Sequence, residues 1–472
     1  MSELTSLSAV EMAKLVRTKR VSPAELVEAH LRHIEKVNPA LNAFACLDRG
    51  AAREQARAAE AAVIRGDRAR ILLGVPLTIK SSIDVAGLRC ECGTRLRQGR
   101  TAASDATVVA RLKAAGAVIL GTTNVPELLM AYETDNFLYG RTNNPWDSER
   151  TPGGSSGGEA AAIAAGCSAG GMGSDGGGSI RVPAHFCGIC GLKPTPGRIP
   201  TTGHFPACAG PSALTGVVGP LARHVSDLQL LFEAAAGHDG SDPSSAPAPV
   251  RPVQPVELMK LRVGFYEEDG KTPVSEETRA AVWTAAGALR QQGFVVEAFR
   301  PAGIEEARRV WWTLFGEAGA VLMESMFAGR RQDLHPLTLE FFNPKQARKG
   351  GFEKLLLAWV DRDLMRTRLF QQMADWQVLL CPVGSVPAFR HGERSWSIDN
   401  ATVRYTEAFS YSAVFNMLGN PVVVVPVGRS PGGLPIGVQV VGRPWQDEVV
   451  LAVAARLEEA LGSRTAPAMA AA

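Results

Sequence analysis

The sequence predicts an α/β fold built on a mixed sheet, and three observations predict it. Apolar runs of strand length alternate with segments of helical periodicity from residue 74 onward. Strand-like runs stand on both sides of a Pro-, Ser- and Asp-rich stretch, residues 237–256. Hydrophobic residues make up 46% of the 472 positions and charged residues 21%, ample material for a large core. One domain over residues 1–472, carrying a helical elaboration, is expected rather than two independent domains.

The elements follow in order. The first 66 residues read as helices. Ser22-Pro23-Ala24-Glu25 is a capping box with Pro23 at the first helical position, and Leu26, His30, Leu31 and Ile34 follow at helical spacing. Gly74 to Val85 reads as a strand and a polar loop, Asp105 to Ala115 as a helix, and Ala117 to Thr122 as a strand. Residues 237–256, with their prolines and serines, form a surface linker. A strand (Leu261 to Tyr266), a long helix (Ser275 to Gln292) and a strand (Val295 to Phe299) come next. Residues 303–375 are mostly helical, with exposed-looking Trp311, Trp312 and Phe315. Strands return at Val378 to Cys381, Pro421 to Val427 and Leu434 to Val441, before a helix from Glu448.

Composition excludes several classes of function. Lys plus Arg, 50 residues, nearly balances Asp plus Glu, 47, so no basic face for nucleic acid is expected. Ala408 to Gly428 runs 21 residues without a charge, but Asn416, Asn420, Pro421 and Pro426 argue against a membrane helix. The first 20 residues show no basic region followed by an apolar stretch, so a soluble cytoplasmic protein is expected. The eight cysteines read as reduced, buried thiols. Cys90/Cys92 and Cys187/Cys190 lack the usual paired ligand spacing, so no metal is expected.

Glycine is the informative residue: 13 of the 48 fall within Gly153 to Gly191. Gly171-Met-Gly173-Ser-Asp-Gly176 formally matches a dinucleotide fingerprint, but no acidic residue follows before Asp227 to hold a ribose. Gly153-Gly-Ser155-Ser-Gly157 formally matches a nucleophile elbow. Its preceding residues, Asn144 to Pro152, are loop chemistry rather than a buried strand, and His391 is the one late histidine available as base. A third reading joins Ser155, Ser179 and Lys80. A short helix over Glu159 to Ala165, about 10 Å long, followed by an extended return through Ser168 to Ser174, puts both serines at one end. Gly176, Gly177 and Gly178 lack Cβ atoms, so their backbone N–H groups can converge on one point. Lys80 ends an apolar strand, where burial makes an amine a usable base.

The segments GGSSGGEAAAIAAG, GSDGGGSIRVPA, CGLKPTPGRIP and GVPLTIKSSIDVAG together resemble the amidase signature family. GTTNVPE, NNPWD, GPLARHVSDL and GLPIGVQVVG extend the resemblance over roughly residues 5–460. It implies a mostly parallel, twisted central sheet covered by helices on both faces, with a signature core at about 70–235. It also implies a Ser-cisSer-Lys triad: Ser179 as nucleophile, Ser155 as bridge after a cis Gly154–Ser155 bond, and Lys80 as base. The N–H groups of Gly176, Gly177, Gly178 and Ser179 would hold the oxyanion. Asp175 and Arg181 would support the glycine loop, with Ser156 and Ser174 behind them; the plainer reading of the charged pair is surface charge.

By the same analogy, Leu128, Leu129, Met130, Tyr132, Trp311, Trp312 and Phe315 would line the substrate pocket, with Met326 near them. A helical aromatic stripe is more often core than pocket. The chain departs from the family in carrying Ser81 and Ser82 where Asp and Asn commonly follow the lysine. It also has Thr123-Asn-Val-Pro-Glu127-Leu where the tRNA-amidating subunit carries a TNMDEF-like segment. The expected protein is a monomer or homodimer, without cofactor, that hydrolyses small-molecule amides or carbamates and has esterase side activity. The alternative is a glutaminase-type amidotransferase component that works with partner subunits.

Overall fold

The computed structural model describes residues 3–67, 69–327, 329–341, 351–462, 465–467 and 469. Positions 328 and 342–350 of the expected helical segment lie outside the described residues, as do parts of both ends of the expected domain.

Eleven strands form one sheet. In chain order they are β1 (Phe44–Leu47), β2 (Pro76–Lys80), β3 (Val118–Thr123), β4 (Gly170–Asp175), β5 (Cys190–Lys193), β6 (Val217–Ala222), β7 (Arg262–Phe265), β8 (Val295–Ala298) and β9 (Val378–Pro382). Then, after a separate hairpin of β10 (Ser395–Ile398) and β11 (Ala401–Arg404), come β12 (Val422–Arg429) and β13 (Pro435–Val441). Across the sheet they run β1-β3-β2-β4-β6-β5-β12-β13-β9-β7-β8. The sheet is mixed. Parallel pairs occupy two blocks, β3-β2-β4 and β9-β7-β8, and antiparallel pairs join and flank them. Strands from both sides of the linker therefore share one set of ladders.

Side-chain alternation explains the two layers. Val422 and Val424 of β12 join one core, with the helices Pro23–Leu41, Arg181–Cys187 and Ser410–Leu418. Val423 and Val425 join the core on the other face, with Ala9–Arg17, Thr107–Ala114, Val225–Ala235, Glu276–Gln291 and Asp447–Leu461. The capping box is present at Ser22: its hydroxyl accepts from Glu25 N–H at 3.1 Å and Glu25 accepts from Ser22 N–H at 2.8 Å. Among the described residues no helix is long and apolar enough to cross a membrane.

Three departures from the sequence-based expectation have physical reasons. The first 66 residues are not all helical: β1 is a four-residue edge strand, too short to show a period, and it exists by pairing with β3. The Asp399-Asn400 turn between β10 and β11, with φ of 49° and 62°, closes a hairpin absent from the expected elements. Trp311 is buried, 2% exposed, not a surface aromatic.

The fold places one end of the sheet for chemistry. β2 and β4 are parallel neighbours, so their C-terminal residues, Lys80 and Ser174-Asp175, emerge on the same edge. The helix Gly157–Ala164 runs away from that edge and β4 returns to it. Ser155 and Ser179 consequently lie at one end of the unit.

Candidate active site

Lys80 Nζ lies 2.7 Å from Ser155 Oγ, 3.1 Å from Ser174 Oγ and 3.2 Å from the Ser174 carbonyl. The lysine is fully buried, and burial lowers its pKa to about 7. Cys92, Asp175 and Glu159 oppose that shift without cancelling it. The Gly154–Ser155 peptide is cis. Ser156 N–H donates to the Ser179 carbonyl at 3.1 Å, tying the two serine segments together. The Ser156 hydroxyl spans to Ser174, 3.4 Å from its N–H and 3.3 Å from its carbonyl. Among the described residues no hydrogen bond joins the hydroxyls of Ser155 and Ser179, although both residues border one cavity.

The glycine loop has a different logic from the one expected. A Cβ at Gly176 would come within 2.7 Å of Phe315, and one at Gly177 within 2.4 Å of Trp311. Only Gly178, at φ +123°, needs glycine for its backbone conformation. Its N–H donates to Asp175 Oδ1 at 2.7 Å, which removes it from the expected set of four oxyanion donors. The N–H groups of Gly176, Gly177 and Ser179 are left as candidate donors.

Asp175 and Arg181 are a buried pair, both side chains at 0% exposure, so the surface-charge reading is corrected. Burial alone would raise the Asp175 pKa, but Arg181 and the N–H groups of Gly178 and Ile180 hold it well below the carboxylate range. Arg181 also donates to the Ser412 carbonyl at 2.7 Å, to Gln439 Oε1 at 2.8 Å and to Asn416 Oδ1. Residues far along the chain thus anchor the loop. The two positions after Lys80, Ser81 and Ser82, bring no acid, and Ser82 Oγ lies 3.3 Å from His204 Nε2. A carboxyl enters instead from the helix Gly157–Ala164, where Glu159 accepts from Thr78 and Thr123. Burial raises its pKa to about 7.

The cavity beside Ser179 has a volume of about 380 Å³. Of the residues expected to line it, Leu129, Met130 and Phe315 do border it, as does Met326. Leu128, Tyr132, Trp311 and Trp312 do not. Leu128 and Tyr132 are buried beneath the surface, and Trp311 lies behind the glycine loop. Trp312 borders a separate, charged cavity with Lys271, Arg308 and Glu407. The lining that sequence reasoning missed includes His204, Phe205, Cys208, Leu322 and Met323. Phe205–Pro206 is a cis peptide in this wall. Nothing in its sequence marked it, because the loop reaches the site only through the fold. His391 does not border this cavity.

Residues 25–451 match the Amidase family. The chain is 36% identical to the A subunit of a glutamyl-tRNA(Gln) amidotransferase from Roseiflexus castenholzii, over 96% of this chain and 95% of that protein. It is 34% identical to a putative amidase, AmiB2, of Mycobacterium bovis, over 97% of each. The structure of a 6-aminohexanoate cyclic dimer hydrolase, complexed with substrate, superposes with a TM-score of 0.86 at 29% identity, covering 99% of both chains. Matched over nearly its whole length, this chain belongs to the amidase family.

Proposed function

We propose that this protein is a self-sufficient amidohydrolase for small neutral amides with an apolar acyl group. The observation that carries the reading is Lys80: a fully buried amine, 2.7 Å from Ser155 Oγ, behind a cavity that Ser179 borders. Neutral Lys80 takes the Ser155 proton, and Ser155 takes that of Ser179 as Ser179 Oγ attacks the carbonyl carbon. The backbone N–H groups of Gly176, Gly177 and Ser179 receive the oxyanion. Protonated Lys80 returns its proton through Ser155 to the leaving amine, and water releases the acyl group from Ser179. Carbamates and esters are substrates of the same geometry.

A second reading, a glutaminase-type component, is favoured by the relative named for glutamyl-tRNA(Gln) amidotransferase. The cavity lining weighs against it. Leu129, Met130, Phe205, Phe315, Leu322 and Met323 dominate that lining. Among the described residues no Lys or Arg borders it, and its one carboxylate, Asp175, is already bonded to Arg181. A free glutamine would bury an ammonium and a carboxylate there with no charged partner available. The test is a substrate panel on the purified chain alone. Anilides or alkyl amides should turn over with no partner protein added, and glutamine at least about tenfold more slowly. Glutamine hydrolysis that appears only with added partner subunits would overturn the reading.

A further inference from the structure

Two aromatic residues expected in the pocket wall stand instead behind the glycine loop. Tyr132 Oη donates to the Gly177 carbonyl at 3.0 Å, and Trp311 Nε1 donates to the Gly176 carbonyl at 2.9 Å. Both side chains are buried, 4% and 2% exposed. Burial also pushes the Tyr132 phenol well above its ordinary pKa, so it remains an O–H donor. We propose that Trp311 and Tyr132 are positioning residues for the oxyanion site: Trp311 aims the free Gly177 N–H, Tyr132 fixes the adjoining Gly177–Gly178 plane against which it is held, and Trp311 links this aim to the acyl end of the cavity. The proposal rests on the acyl-transfer reading above.

The geometry follows from the planar trans peptide, in which a carbonyl and the next N–H point in opposite directions. Holding the Gly176 carbonyl against Trp311 turns the Gly177 N–H to the other side. Holding the Gly177 carbonyl on Tyr132 does the same for the Gly178 N–H, which Asp175 then receives at 2.7 Å. The second plane is fixed at both ends. The first is fixed only at its carbonyl end, and among the described residues its Gly177 N–H has no partner. That free donor is the one Trp311 controls.

The link to the acyl group runs along the helical segment that carries Trp311. Its ring stacks on Phe315, with centroids 5.0 Å apart and planes 16° apart. Phe315 in turn packs on Gly176, where an added Cβ would come within 2.7 Å of its ring. Phe315, Leu322, Met323 and Met326, all within 15 residues of Trp311, border the cavity. An apolar acyl group lying on these side chains braces the segment that holds the Gly176 carbonyl. Acyl contact is then expressed in kcat as well as in KM, as remote binding energy applied to the transition state.

The test uses Trp311→Phe and Tyr132→Phe, which remove an N–H or an O–H and keep a ring. Both variants and the wild type are assayed on an aryl- or hexanoyl-anilide and on acetanilide, with thermal melting as the check on folding. Each variant should lose about ten- to hundredfold in kcat on the larger amide with KM within about twofold. In Trp311→Phe the kcat advantage of the larger amide over acetanilide should also shrink toward one. Variants that keep wild-type kcat, or lose it equally for both amides with Tyr132→Phe unaffected, overturn the proposal. Should Trp311→Phe fail to fold, Tyr132→Phe alone decides through its kcat. A wild type that hydrolyses neither amide overturns the acyl-transfer reading itself, so the two failures are told apart.

Discussion

The proposed chemistry turns on one side chain, Lys80. An amine at the ordinary lysine pKa of 10.5 is useless as a base at neutral pH, and complete burial brings this one to about 7. It forms no ion pair among the described residues; its close partners are two serine hydroxyls and a carbonyl. Carboxylates act on it from a distance, Asp175 from the end of β4 and Glu159 from the helix Gly157–Ala164. The sign follows directly. Below about pH 7 Lys80 is an ammonium and cannot accept a proton; above it the amine is free. A plot of kcat/KM against pH should therefore rise with an apparent pKa of about 7 and then level off. Lys80→Met should cost about 10²- to 10⁴-fold in kcat/KM near neutrality and abolish the limb. An unchanged profile in that variant would remove Lys80 from the mechanism. The three residues proposed as the triad could be picked out in the sequence because their motifs are local. The burial that lowers the lysine pKa was legible from the apolar strand that Lys80 ends; the opposing carboxyl of Glu159 was not, since it reaches the lysine only through the packing of a helix on β2 and β3.

At the scale of elements, the site is a strand end, a glycine loop and a helix start stapled by Asp175 and Arg181. Asp175 caps the loop through the N–H groups of Gly178 and Ile180, at 2.7 and 3.0 Å, while pairing with Arg181 at 2.9 Å. Asp175→Asn leaves a buried guanidinium without its counter-charge. It should lower the unfolding free energy by about 3–5 kcal/mol, read as a shifted urea midpoint. A variant as stable as the wild type would mean the pair is dispensable. The native carboxyl sits below its unfolded pKa, so its contribution is present above that pKa and fades as pH falls through the native value. The helix and its return strand were readable from length and glycine content. The short strands β1, β5 and β6 were not: Gly191 interrupts β5 and Gly219-Pro220 interrupts β6, and β1 is defined by its pairing with β3. Trp311 illustrates the same limit. An aromatic at helical spacing declares that it will be buried, not whether it faces substrate or the back of a loop.

Across the whole molecule, the second half of the chain does more than cover the sheet. β12 pairs with β5, β13 supplies Gln439, and the helix Ser410–Leu418 supplies Asn416, so residues beyond the linker hold Arg181 in place. The linker itself is pinned: Thr107 donates to Asp239 at 2.7 Å and Thr201 N–H to Asp242 at 2.8 Å. The mixed α/β class was legible from alternation along the sequence, but the strand order was not, since it depends on contacts between residues hundreds apart. A chain so knit around Ser179 should carry its nucleophile ready-made, with no second protein needed to complete it. The direct measurement is the intact mass of the purified chain after treatment with an alkyl fluorophosphonate at about pH 8, above the Lys80 pKa, followed by peptide mapping. A single adduct on Ser179, absent from Ser179→Ala, is the predicted result. An adduct on Ser155, or a wild-type chain that stays unlabelled, would contradict the account.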